Sequence, residues 1–173
     1  MKSFFENPDY EWRETLFVLF DRKTCPPVTR ETVRRFFAET EFAFLEIKAA
    51  KESADGMLRR LLAVSPETRC GLELVFQEGD AVLEQTREFH RTIQETLDAY
   101  ESRQWEKIFP LSACFELMYF EKIQKSLRIA GETREEPLLY DPGTLLFVTE
   151  KLSQFTHGVV LDPQSGMILE IDN

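Results

Sequence analysis

Glycine, cysteine, histidine and positive charge are all scarce in this chain, and each shortage closes off a class of chemistry. The seven glycines are scattered, and neither Gly-x-Gly-x-x-Gly nor Gly-x4-Gly-Lys-Ser/Thr occurs. Phosphate-cradling loops of those two kinds are therefore excluded. Three cysteines, Cys25, Cys70 and Cys114, stand far apart in sequence. Without a close pair or an even count they make neither a metal clasp nor a disulfide framework, and are expected to be buried or idle thiols. The 21 Lys and Arg are outnumbered by 31 Asp and Glu, for a net charge of −10. Such a surface repels nucleic-acid phosphates and anionic lipid heads, so neither a nucleic-acid nor a membrane partner is expected. The longest apolar run near the start is "LFVLF", far short of the roughly 20 residues of a membrane helix, and "MKSFFENPDYEW" lacks the apolar core of a secretion signal. A cytoplasmic location is the expectation.

What is abundant is apolar and aromatic. Hydrophobic residues make up 43% of 173 positions, with 15 phenylalanines. That is the size and composition of one domain with one core, so residues 1–173 are read as a single α+β domain. "TLFVLF", Thr15 to Phe20, is a continuous apolar run of strand length, suited to the interior of a sheet. Beyond Cys25-Pro26-Pro27, Thr29 is placed to cap a helix in which Val28 and Val33 form a hydrophobic staple and Phe36 and Phe37 continue the buried stripe. "EFAFLEI" from Glu41, "LRRLLAV" from Leu58 and "GLELVFQE" from Gly71 read as strands, the second with a pattern that also suits a helical turn.

"GDAVLEQTREFHRTIQETLDAY" repeats Val82, Thr86, Phe89, Ile93, Leu97 and Tyr100 at three- and four-residue spacing, which predicts one helix opened by Asp80 as cap. "RQWEKIFP" is a short helical or irregular connection to the apolar strand "LSACFELMYF". Residues 121–140, which include "GETREEP", read as an exposed loop. Asp141 then caps a last helix with Pro142 at its first position and Leu145, Val148, Leu152 and Phe155 on one face, ending near His157-Gly158. The element order predicts a mostly antiparallel sheet with helices on one face, a ferredoxin-like arrangement being the nearest layout.

"THGVVLDPQSGMILEI" brings His157, Asp162 and Ser165 close in sequence. Asp162-Pro163 with Gly166 four residues on is the chemistry of a hairpin turn between "GVVL" and "MILEI". A strand of four residues, about 13 Å, then separates His157 from Ser165, so no triad forms. His157 is expected to cap the end of the last helix. His90 has no ligand type three or four residues away and reads as a solvated or half-buried side chain. Trp12 and Trp105 suit either packing at a core edge or the lining of a pocket or interface.

Two carboxylate groups remain as candidates. Glu116 sits inside the apolar run "CFELMYF", where an acid is costly unless it is paired or faces solvent, and it is the candidate catalytic residue. Glu132, Glu135, Glu136 and Asp141 are candidate metal ligands, although they lack the every-second-position spacing of an EF-hand loop. No cofactor is implied.

The segments "LELVFQEGDAVLEQ" and "DPGTLLFV", with the helix from the latter ending before "GVVLDPQSG", resemble uncharacterised bacterial α+β proteins over about half the chain. The resemblance implies an α+β domain and transfers no catalytic residue. With no converging nucleophile, base and oxyanion donor, the functional expectation is a non-catalytic binding or regulatory domain. It would work through a protein partner, for which an acidic inhibitor of a basic toxin or nuclease is one form, or through self-association as a homodimer. The alternative is a small hydrolase or metal-dependent enzyme using Glu116 with acids from residues 132–141.

Overall fold

A computed structural model describes residues 1–39, 45–95, 97–123 and 142–169. Its frame is one seven-stranded sheet built from β1 (Tyr10–Phe20), β2 (Glu46–Glu52), β3 (Leu58–Val64), β4 (Cys70–Glu78), β5 (Ala113–Lys122), β6 (Val159–Leu161) and β7 (Ile168–Leu169). The strand order is β2-β3-β4-β5-β1-β6-β7 and every neighbouring pair is antiparallel. The α+β class with a mostly antiparallel sheet is therefore as expected. The ferredoxin-like arrangement is not shown, because this strand order describes a larger open sheet. The run "TLFVLF" lies in the interior between β5 and β6, and the β6–β7 hairpin forms one margin of the sheet, residues 170 and 171 lying outside the described ones.

Among the described residues four helices flank the sheet: α1 (Arg30–Glu39), α2 (Asp80–Ile93), α3 (Ala99–Ile108) and α4 (Gly143–Thr156), with a short 3-10 turn at Phe4–Glu6. They cover both faces, not one. Side chains alternate along a strand, so β5 sends Ala113, Phe115, Leu117 and Tyr119 one way and Cys114, Met118 and Phe120 the other. The first set packs with α1 residues Val33, Phe36 and Phe37 and α4 residues Leu145, Val148 and Leu152. The second set meets Val82 of α2 with Trp105 and Ile108 of α3 at one end, and Phe4 at the other. The helices are split because β1 and β5 carry apolar side chains on both faces, and each face needs a cover.

Several boundaries follow local chemistry. Thr29 opens α1 as expected: its hydroxyl accepts from the Thr32 backbone N–H at 3.1 Å, and Val28 and Val33 are fully buried beside it. Asp80 is inside α2, whose cap is Gly79 with a φ of +90°. Likewise Pro142, expected at the first helical position of α4, is its cap, and Asp141 lies outside the described residues. The predicted single helix from Asp80 to Tyr100 is two. Asp98 accepts from the Tyr100 and Glu101 backbone N–H groups at 2.7 and 2.8 Å, while Glu101 accepts from the Asp98 N–H at 2.9 Å. This capping box starts α3 anew and takes "RQWEKI" into it as regular helix.

The first part of "EFAFLEI", residues 41–44, lies outside the described residues, and the strand proper begins at Glu46. Of the expected loop at 121–140, Glu121 and Lys122 belong to β5 and residues 124–140 lie outside the described ones. Among the described residues no helix is long and apolar enough to cross a membrane.

Candidate functional site

The 162–166 turn is built as its residues predict. Asp162 Oδ1 accepts from the Gln164 N–H at 2.8 Å, Oδ2 accepts from the Ser165 hydroxyl at 2.6 Å, and Gly166 donates to the Asp162 carbonyl at 2.8 Å. Ser165 Oγ in turn accepts from the Met167 N–H at 3.2 Å. The serine is thus a structural element of the turn. Gly166 takes a φ of +74°, the left-handed region in which a side chain is strained. A Cβ there would also come within 2.6 Å of Ile93 Cδ1, so the absence of a side chain lets the turn rest on the end of α2.

His157 stands at the other end of β6, in a left-handed backbone conformation that terminates α4. Its backbone N–H donates to the Ser153 carbonyl, and Ser153 Oγ donates to the Gly158 carbonyl at 2.7 Å. The expected cap is present and is made by the backbone. Gly158 lets the chain turn closely against β1, since a Cβ would fall 2.7 Å from the Leu19 carbonyl oxygen.

The turn, α3 and the end of α2 enclose an open cleft of about 280 Å³. Its apolar lining comes from Ile93, Leu97, Trp105 and Ile168. Trp105 is closely packed: it is 1% exposed, and the half-buried His90 ring packs against it and against Phe109 at centroid distances of 5.4 and 4.9 Å. Around the mouth stand Asp98, Tyr100, Glu101, Gln104 and Met167. Tyr100 and Met167 are 53% and 58% exposed, two of the few large apolar side chains so placed among the described residues. The two mouth carboxylates are fixed by the capping box, so their charge has a set position.

Glu116 lies elsewhere, on the same face of the sheet, between the cover of α2 and α3 and the cover of Phe4. It is half-buried, and its Oε2 accepts from Gln77 Nε2 at 3.2 Å. Burial pushes its carboxyl above the usual range; the Gln77 hydrogen bond opposes this and the nearby Glu73 charge adds to it. Glu73, 1% exposed, carries a full set of partners: Arg60 Nε donates to Oε1 at 2.8 Å, and Ser3 Oγ and the Phe4 N–H donate to Oε2 at 2.7 and 3.1 Å. It ties the amino-terminal turn to β3 and β4. Glu132, Glu135, Glu136 and Asp141 lie outside the described residues. Among the described residues no three His, Cys, Asp or Glu side chains are placed to hold a metal ion. All three cysteines are buried, and desolvation raises each thiol above its ordinary range.

Neither Glu73 nor the cleft is singled out by the sequence pattern. Glu73 carries the same signal that singled out Glu116, an acid within an apolar strand. The cleft is assembled from two segments some 70 positions apart, and only the Asp98-x-x-Glu101 spacing announced one wall of it. No protein-family model, curated protein or solved structure matches the chain.

Proposed function

We propose that the chain is a single, cytoplasmic, non-catalytic domain that works by binding another protein. The observation that carries this reading is the cleft between α3 and the 162–166 turn, a largely apolar recess with the buried Trp105 in its lining and two exposed large side chains at its mouth. Apolar side chains left exposed around a recess are the usual mark of an interaction site. The hydroxyl of Ser165 and the ring of His157 stand at opposite ends of one hairpin strand, which favours binding over nucleophilic catalysis. Affinity capture from the source cells at low ionic strength, with light scattering on the purified protein, tests it. A retained, stoichiometric partner or a stable dimer is expected. A monomer that retains nothing would overturn the reading.

A second reading has one observation in its favour. The half-buried Glu116 carboxyl, raised by desolvation, holds its proton to higher pH than an exposed acid, as a general acid requires. In that reading a small hydrolase or metal-dependent enzyme uses Glu116 with Glu132, Glu135, Glu136 or Asp141. Calorimetric titration with divalent metals and a substrate screen on Glu116→Gln decide it. An absence of metal binding at millimolar concentration, with no activity altered by the substitution, removes it.

A further inference from the structure

Resting on the binding reading above, we infer that the cleft takes a basic segment of a partner protein. One large apolar side chain of that segment enters between Tyr100 and Met167, and its Lys or Arg residues lie against Asp98 and Glu101. Size argues for a single anchor: about 280 Å³ is at or below the small end of the roughly 300–1,000 Å³ pockets that enclose whole ligands. One aromatic or long aliphatic side chain in a well-packed recess is the ordinary form of an interface hot spot. Charge selects the flanks. Among the described residues the lining carries two carboxylates and no Lys, Arg or His, on a chain of net charge −10. An acidic segment would be repelled. The amino-terminal end of α3 does not reverse this, because the Tyr100 and Glu101 N–H groups that an anion would seek already donate to Asp98. A second copy of the chain fits less well, since a two-fold contact at this patch sets the same acids against each other.

Selection of a random phage-displayed peptide library on the full chain tests this, followed by anisotropy titration of the enriched peptides. Enriched sequences should combine an aromatic or long aliphatic residue with neighbouring Lys or Arg. Met167→Asp, at an exposed position, should weaken them by about tenfold or more. The double variant Asp98→Asn, Glu101→Gln keeps both cap acceptors and removes only charge. It should bind about fivefold more weakly and lose most of the salt dependence seen with the wild type. Circular dichroism and thermal melting establish that both variants fold. If the enriched peptides are neutral or acidic, or bind Met167→Asp as tightly as the wild type, the cleft assignment fails while the binding reading stands. If no peptide is enriched, the cleft assignment fails, and the binding reading falls with it only if affinity capture also retains no partner and light scattering gives a monomer.

Discussion

The two faces of the sheet are covered differently. On one, α1 and α4 lie over β1, β3, β4 and β5, and a continuous apolar cluster runs beneath them from Val28 to Val160. On the other, among the described residues, the cover comes in two pieces, α2 with α3 at one end and the Phe4–Glu6 turn at the other, each over its own small cluster. Between those pieces the strands carry Arg60, Glu73, Gln77 and Glu116, joined by hydrogen bonds. A continuous apolar face gives stability and leaves nothing to recognise. A face covered in parts must satisfy polar groups at the gaps, and its margins are where recesses such as the α3 cleft form.

Phe115→Ala should produce the largest effect, because it strikes the continuous face. Phe115 is fully buried, with the Phe20 and Phe76 rings 5.7 and 5.2 Å from its own. A loss of about 3–5 kcal/mol is expected in urea unfolding. A loss under about 1 kcal/mol would show that this face is not the main source of stability.

Arg60→Met comes next and strikes the polar strip. It leaves the buried Glu73 carboxylate without its cation, and a cost of about 2–4 kcal/mol is expected. That is somewhat below the figure for a fully buried pair because Arg60 is partly exposed. Glu73→Gln together with Arg60→Met should recover part of the loss, and a double-mutant cycle measures the coupling.

Gly71→Ala probes the small cover. The new Cβ would meet the Phe4 ring at 3.0 to 3.2 Å, a contact the ring relieves by shifting. The expected cost is about 1 kcal/mol, with faster hydrogen exchange confined to the Phe4–Glu6 turn. Faster exchange throughout the sheet would mean that the turn and the sheet open together.

The smallest effect, and of opposite sign, belongs to Glu116→Gln. Burial holds the folded carboxyl above its unfolded value, so its favourable contribution is complete at acid pH and is lost as pH rises through the folded value. The substituted side-chain amide can still accept a hydrogen bond from Gln77 and never ionises. The variant should melt slightly above the wild type at pH 7, and the difference should vanish below about pH 4, near the unfolded glutamate value. A variant less stable at pH 7 would show that the ionised carboxylate is stabilising.

Strong local patterns were legible from residues alone. Thr29 with its valine staple, the Asp162–Gly166 turn and the end of α4 at His157 each depend on contacts within a few positions, and each stands as its residues predict. The break between α2 and α3 was also local, in Asp98-x-x-Glu101, but the apolar spacing continues unbroken through Leu97 and Tyr100 and masks it. That spacing is kept because α3 packs on the same cluster as α2.

Composition and pattern by themselves determined that this chain is an α+β protein with aromatic strands and a net negative charge. Those properties depend on residue type and on spacings of two to four positions, which are present in the chain before it folds. Only the tertiary structure decided the strand order, the division of the helices between two faces, the pairing of Arg60 with Glu73 and the meeting of the 162–166 turn with α3. Each of these depends on long-range contacts, where several pairings satisfy the same local pattern and the packing of whole faces selects one.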